Sequence, residues 1–290
     1  MTAKEQNIGE SNQMDYLEFY GLKEQPFTNS INNRFYYNST QHGEALLRLK
    51  YAVNTMKGLA VLIGGVGTGK TTLARRMLDE LNEEEYESAL LVIIHSSVTA
   101  EWLLKKIAMQ LGVEDIPEDK VNLLSRVYHR LLEIHESGKK AVVLIDEAQM
   151  LNSREIMEEF RGLLNLEVPG GKLVSFVFFG LSELDDILSL DEPLKQRVAV
   201  KYRLKSFMLD TTEEYVKHRL RIAGCDCELF TKEALEVIHL YSRGVPRLIN
   251  TVCDNALLEG FLTKRPKVGR DIIEEVACDF GLNIEDNVLK

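Results

Sequence analysis

Residues Gly64-Gly65-Val66-Gly67-Thr68-Gly69-Lys70-Thr71 form a glycine-rich run that closes on a lysine and a hydroxyl, fitting GxxxxGK[ST] at every fixed position. Glycines at this spacing let the main chain turn tightly enough for successive N–H groups to converge on phosphate oxygens. Lys70 would then act as a point charge on the β- and γ-phosphates, and the Thr71 hydroxyl would meet a Mg²⁺ ion. Thr72 follows in what would be the first helical turn and completes the candidate phosphate-binding residues. The apolar run Leu59–Ile63 precedes the motif and a helical pattern to about Leu81 follows it, which is the strand–turn–helix context that the motif requires.

A second run, Val142-Val143-Leu144-Ile145-Asp146-Glu147, reads as a buried strand ending in two acids. Alone, such a run is often a strand meeting its solvated loop. With strand and helix patterns separating it from the glycine-rich motif, it is expected to lie beside the phosphate-binding strand and to bring its acids to a bound metal. Asp146 would hold the ion, and Glu147 would orient and polarise the water that attacks the γ-phosphate, a division between a permanently ionised ligand and a proton acceptor.

The elements that must position these groups follow from periodicity. Apolar residues Ala45, Leu46, Leu49, Ala52, Val53 and Met56 recur at helical spacing over 41–56. Strands are expected at Leu59–Ile63, Leu90–Ile94, Ala141–Ile145, Leu173–Phe179 and Val198–Leu204, with helices over 99–111, 120–136 and 153–165 between them. Near-continuous apolar strands alternating with helices predict an α/β fold with a parallel sheet of about five strands covered on both faces. Past Lys205 the strands stop. Helical patterns over 211–223, 231–241, 245–262 and 269–278 predict a C-terminal helical lid domain, 206–290, after a nucleotide-binding α/β domain, 14–205. Thr211 and Glu214 fit a capping box at the first of these helices. Residues 1–13 are polar and unpatterned and read as a disordered tail. His42 reads as a helix-start or core histidine, and Trp102 as a core residue.

The chain has 290 residues and a formal net charge of −10, which lowers the expectation of nucleic-acid binding because phosphate-backbone contacts need clustered Lys and Arg. Cys225, Cys227, Cys253 and Cys278 form no CxxC pair and are expected as free thiols in a reducing compartment. No segment approaches the roughly 20 apolar residues that span a bilayer, so a cytoplasmic protein is expected, peripheral at a membrane through a partner if at all.

The chain resembles the general secretory pathway protein A (ExeA-like) family of AAA+ P-loop NTPases. Four stretches carry the resemblance: Phe19-Tyr20-Gly21-Leu22 with Pro26-Phe27, Gln41-His42 and Glu44-Ala45; the glycine-rich motif; Leu144 to Gln149 with Leu163-Leu164-Asn165-Leu166-Glu167; and Gly244-Val245-Pro246-Arg247-Leu248-Ile249-Asn250. The resemblance implies that Arg247 approaches the γ-phosphate from the helical domain, and that Arg197 serves as an arginine finger on a neighbouring subunit, with Lys195 and Arg203 as rivals. It implies that Pro26 and Phe27 wall the adenine. It also implies ATP and Mg²⁺ as ligands, a dimer or ring, a protein partner in a bacterial envelope machine of the secretion or pilus type, and a short soluble form without the family's membrane span and peptidoglycan-binding domain. The family's strand-end Gln is replaced by Leu181, whose side chain donates no hydrogen bond; Ser182 is the local substitute. Two other functions fit the same motifs: a DNA-associated AAA+ regulator of the transposition type, and an ATP-binding scaffold with little turnover.

Overall fold

The computed structural model describes residues 16–30 and 32–282. The expected tail, 1–13, lies outside the described residues. The chain divides into two compact units, Thr40–Lys205 and a second made of the residues on either side of it.

The first unit is a sheet covered by helices. Helix α1 (Thr40–Asn54) leads to β1 (Leu59–Gly64), α2 (Lys70–Glu80), β2 (Tyr86–Val92), α3 (Ala100–Gln110), α4 (Lys120–Glu136), β3 (Lys140–Asp146) and α5 (Arg154–Leu163). A short hairpin, β4 (Glu167–Val168) and β5 (Gly171–Lys172), precedes β6 (Val174–Gly180), α6 (Leu184–Leu188), α7 (Glu192–Lys195) and β7 (Val198–Leu204). The five long strands run parallel in the order β2-β3-β6-β1-β7. β1 and β6 are buried along their whole length, as interior parallel strands covered on both faces must be. β2 lies at the border of the sheet and starts at Tyr86, earlier than its apolar run, because a border position tolerates Glu87 and Ser88.

One feature of the order departs from the sequence expectation: β6 lies between β1 and β3, so the strand bearing the acids is not the direct neighbour of the phosphate-binding strand. The register pairs Ile63 with Gly180, and both Ile145 and Val61 with Phe178, so the carboxyl ends of the three strands fall within two residues of one another. Beneath them, Phe160 of α5 is fully buried and meets Phe176 and Phe178 edge-on at centroid distances of 5.0 and 4.7 Å. Trp102 is not a core residue. It is 37% exposed, flanking the α3 face of Leu103, Leu104, Ile107 and Ala108, with the Lys106 ammonium over its ring. The short helices α6 and α7 fall in a stretch too brief for periodicity to reveal.

The second unit holds α8 (Leu209–Ile222), α9 (Lys232–Ser242), α10 (Pro246–Leu262) and α11 (Arg270–Asp279) together with the aromatic N-terminal segment. Tyr16, Tyr20, Phe27 and Phe35 share one apolar core with Phe207, Tyr215, Phe230 and Phe261. The main chain joins in: Lys23 N–H donates to Ala223 O at 2.8 Å, and buried Arg219 donates to the carbonyls of Pro26 and Thr28 while its guanidinium covers the Phe35 ring. The division falls at 39/40 and 205/206, and the described residues among 16–39 share a core with the C-terminal helices.

Two local expectations are corrected in this unit. Helix α8 begins at Leu209 with Met208 at its cap, so Thr211 and Glu214 form no capping box; Glu214 instead accepts a hydrogen bond from the Tyr37 hydroxyl. Cys225 and Cys227 are disulfide-bonded and not free, their Cα atoms lying 5.3 Å apart, within disulfide reach; Cys253 is a buried thiol and Cys278 an exposed one. The Gly244 loop is joined closely to the start of the unit: Phe207 N–H donates to Gly244 O at 2.8 Å, and a Cβ at Gly244 would come within 2.0 Å of Phe207 O.

Replacing Phe160 by Ala should destabilise the α/β unit by about 3–5 kcal/mol, the usual cost of emptying a ring-sized core site. The chain's one tryptophan, Trp102, lies in that unit and reports its urea unfolding by fluorescence. A shift below about 1 kcal/mol would place the ring outside the core.

Candidate functional site: a phosphate cradle facing two acids

The turn after β1 is built by two left-handed glycines, Gly67 (φ +75°) and Gly69 (φ +99°). Gly69 caps α2 with no side-chain hydrogen bond, so the first N–H groups of α2 are left to an external acceptor at the positive end of the helix. Gly64 is required by contact: a Cβ there would lie 2.7 Å from the Thr68 hydroxyl, which donates to Gly65 O at 2.9 Å. Lys70 is only 6% exposed, and its ammonium donates to Gly64 O at 3.0 Å and Gly65 O at 2.9 Å. Burial pushes the Lys70 pKa down, opposed by the charges of Glu147, Asp146 and Glu183. The lysine is thus held over the cradle with anionic neighbours on one side and neutral carbonyls on the other. Val66 lies exposed on the outer turn, and Thr71 and Thr72 are half-buried in the first turn of α2.

At the end of β3, Asp146 is fully buried. Its Oδ1 accepts the Glu147 N–H at 3.0 Å, and its side chain is hydrogen-bonded to Thr71. Its Oδ2 has no protein partner. Burial raises the Asp146 pKa, and the Thr71 hydroxyl, the Glu147 N–H and Lys70 pull it back down. A buried carboxylate oxygen without a partner, beside a threonine hydroxyl and an anion cradle, fits a hard cation. Mg²⁺ takes one or two protein oxygens and completes its shell with phosphate and water. Thr71 and Asp146 are the residues that would hold it.

Glu147 follows in a left-handed conformation (φ +56°, ψ +37°), uncommon for a residue with a side chain and a form of strain that gathers at functional sites. Sequence reasoning missed the group that fixes it. Gln149 Nε2 donates to Glu147 Oε2 at 2.5 Å, and Gln149 Oε1 accepts the Leu181 N–H at 3.1 Å. One amide thereby ties the candidate base to the end of β6. Gly180 makes room for it, since a Cβ there would lie 3.1 Å from Gln149 Oε1 and 2.8 Å from Leu184 Cδ2. Ser182, the substitute suggested by sequence, is exposed and bonded to Glu183. The signal available in the sequence was a lone amide in the tight turn after two acids.

The other candidates stand apart from this cluster or lie in the second unit. Arg197 is half-buried and donates to Arg161 O at 3.4 Å; Lys195 bonds Ser189 and Arg203 pairs with Asp185. Arg247 is exposed in the first turn of α10. Phe27 does not offer a free face to a base: it is 1% exposed, in the core of the second unit, edge-on to Phe230. Pro26 contributes its carbonyl to Arg219.

Removing the Gln149 amide should release Glu147. Gln149→Ala is expected to lower phosphate release from ATP about tenfold while leaving ATP affinity within about twofold, the pattern of an interaction used in the transition state and not in binding. Equal turnover in the variant would show that the tie does not position Glu147.

A family model described as an AAA domain matches residues 53–188, which hold both the cradle and the acids. General secretion pathway protein A of Aeromonas hydrophila is 38% identical over 259 residues, covering 87% of this chain and 46% of that protein, so the chain spans about half the length of its relative. Among solved structures, the ADP form of the ORC2 protein of Aeropyrum pernix superposes with a TM-score of 0.66 at 17% identity, covering 89% of this chain and 73% of that one. The RuvB Holliday junction branch migration motor of Thermotoga maritima gives 0.58 at 19% identity, covering 90% and 75%. At these identities the two structures show the fold alone. The fold, the matched domain and the long relative agree with the chemistry of the cradle: the chain has the P-loop α/β fold of AAA+ proteins, carries an AAA domain over 53–188, and is similar over most of its length to General secretion pathway protein A.

Proposed function

We propose that the chain hydrolyses ATP in a Mg²⁺-dependent reaction and that nucleotide turnover drives or regulates assembly of a bacterial envelope system of the secretion or pilus type. The observation that carries the first part is the convergence of buried Lys70, the unpartnered Asp146 oxygen and the strained Glu147 at the carboxyl ends of β1 and β3. The second part rests on the likeness to the Aeromonas protein. ATP phosphates would replace Gly64 O and Gly65 O as acceptors for Lys70, exchanging neutral carbonyls for anionic oxygens, which strengthens each hydrogen bond. Thr71 and Asp146 would hold Mg²⁺, which neutralises charge on the β- and γ-phosphates when bound. Glu147 would orient the attacking water and take its proton. A dimer or ring with Arg197 acting on a neighbour, Arg247 answering to the γ-phosphate, a protein partner and a cytoplasmic location belong to the same proposal. Among the described residues no helix is long and apolar enough to cross a membrane.

A slow-turnover variant of this function has its own support. Leu181 brings no polar side chain to the end of β6, and Glu147 is already engaged by Gln149. Such a protein would act as an ATP-loaded scaffold.

Lys70→Ala should weaken ATP binding at least about tenfold, the loss of a charge-assisted contact; unchanged affinity for labelled ATP removes the cradle assignment. Glu147→Gln should keep ATP affinity and lower phosphate release by roughly 10²–10⁴-fold, a general base's usual contribution. Equal background rates in the two proteins select the scaffold. Chelation by EDTA should stop phosphate release, and Mg²⁺ should restore it. Arg197→Ala mixed with Lys70→Ala should regain activity if the finger works between subunits. A pull-down with ATP-loaded Glu147→Gln protein from the native cell should recover envelope-assembly proteins, and recovery of DNA-bound complexes instead would favour the regulator.

A further inference from the structure

His42 lies in the first turn of α1, far from the motif in sequence, yet its Nε2 is 3.0 Å from Thr68 O inside the glycine-rich turn. The histidine is 4% exposed. A carbonyl oxygen can only accept, so Nε2 carries the proton and donates. Burial pushes the His42 pKa down, which favours the neutral ring. The Thr68 carbonyl belongs to the same planar unit as the Gly69 N–H, and in a trans peptide the two point in opposite directions. A donor that fixes the carbonyl on one side therefore fixes the aim of the amide on the other. That amide is the last of the turn, at the cap of α2, where the cradle needs an inward N–H. The approach is close enough to constrain the sequence: a Cβ at Gly69 would lie 2.9 Å from His42 Nε2.

The residue before it anchors the platform. Gln41 Nε2 donates to Lys205 O at 2.8 Å, and Lys205 N–H donates to Gln41 Oε1 at 3.0 Å. The side-chain amide thus acts as a strand-like partner for the main chain just past β7. Consecutive residues of α1 grip the end of the sheet and the phosphate turn. Thr40 and Lys205 are also the first and last residues of the α/β unit, so the grip is made at the two places where the chain enters and leaves it.

We propose that His42 is a positioning residue of the nucleotide site: its Nε2–H holds the Thr68–Gly69 peptide so that the Gly69 amide faces the phosphates, with Gln41 fixing the helix that carries it. The proposal rests on the ATP reading of the cradle. The test compares ATP affinity and thermal unfolding of the wild type, His42→Leu, His42→Gln and His42→Asn. Gln places an amide N–H near the position of His Nε2; Asn is one methylene too short to reach Thr68 O. His42→Leu and His42→Asn should each lose about tenfold in ATP affinity, and His42→Gln should return to within about threefold of the wild type. Rescue by Gln and not by Asn is a pattern that a packing role would not produce, and it remains readable if the Leu variant fails to fold. Wild-type affinity in His42→Asn, or equal weakness in the Gln and Asn variants, overturns the proposal. A wild-type protein that binds no ATP overturns the nucleotide reading itself, a result distinct from either.

Discussion

A cation buried at the carboxyl end of a parallel sheet is the constraint around which this protein is organised. Lys70 gives up most of its water, and such a group is tolerable only where oxygens and negative charge replace the hydration it loses. The turn supplies the carbonyls of Gly64 and Gly65, and the far side supplies Asp146 and Glu147. Each of these has its own requirement. The carbonyls converge because two glycines adopt left-handed angles; the acids arrive because β3 runs parallel to β6 and ends within two residues of it. Neutralisation is incomplete in the chain itself, since one Asp146 oxygen has no protein partner. A site left in that condition is complementary to a metal-bound polyphosphate, which brings both signs of charge together.

The insertion of β6 between the lysine strand and the acid strand decides what else the site contains. It separates the two charged ends by one strand and puts a strand terminus between them. At that terminus Gly180 leaves space, and Gln149 uses it to join Glu147 to the main chain at Leu181. The leucine that looks like a defect in the sequence still contributes its N–H. The polar side chain at this point is the Gln149 amide, which comes from the turn after β3 and not from β6.

The cradle and the acid pair were legible in the sequence because their chemistry confines specific residue types to short contiguous runs. The five long strands were legible as well, because interior parallel strands must be apolar throughout. Strand order was not, since apolar runs do not say which neighbour they choose. His42 and Gln149 escaped for another reason: a side chain that bonds to a distant peptide group leaves no periodicity behind. The partner of the aromatic segment from Tyr16 to Tyr37 was hidden as well, because aromatic rings pack equally well on a sheet or on helices, and Arg219, which binds it, lies far along the chain. The bonded pair Cys225–Cys227 depends on the backbone angles between the two residues and not on spacing rules.

The pairing of Phe207 with Gly244 has a mechanical consequence. Phe207 is the second residue of the helical unit after the chain leaves Lys205, and Gly244 opens the turn into α10, whose first turn carries Arg247. A main-chain hydrogen bond joins them, and the contact leaves no room for even a methyl group. Any movement of the main chain at Phe207 therefore carries the start of α10, and Arg247 with it, as a crank pin turns with its shaft.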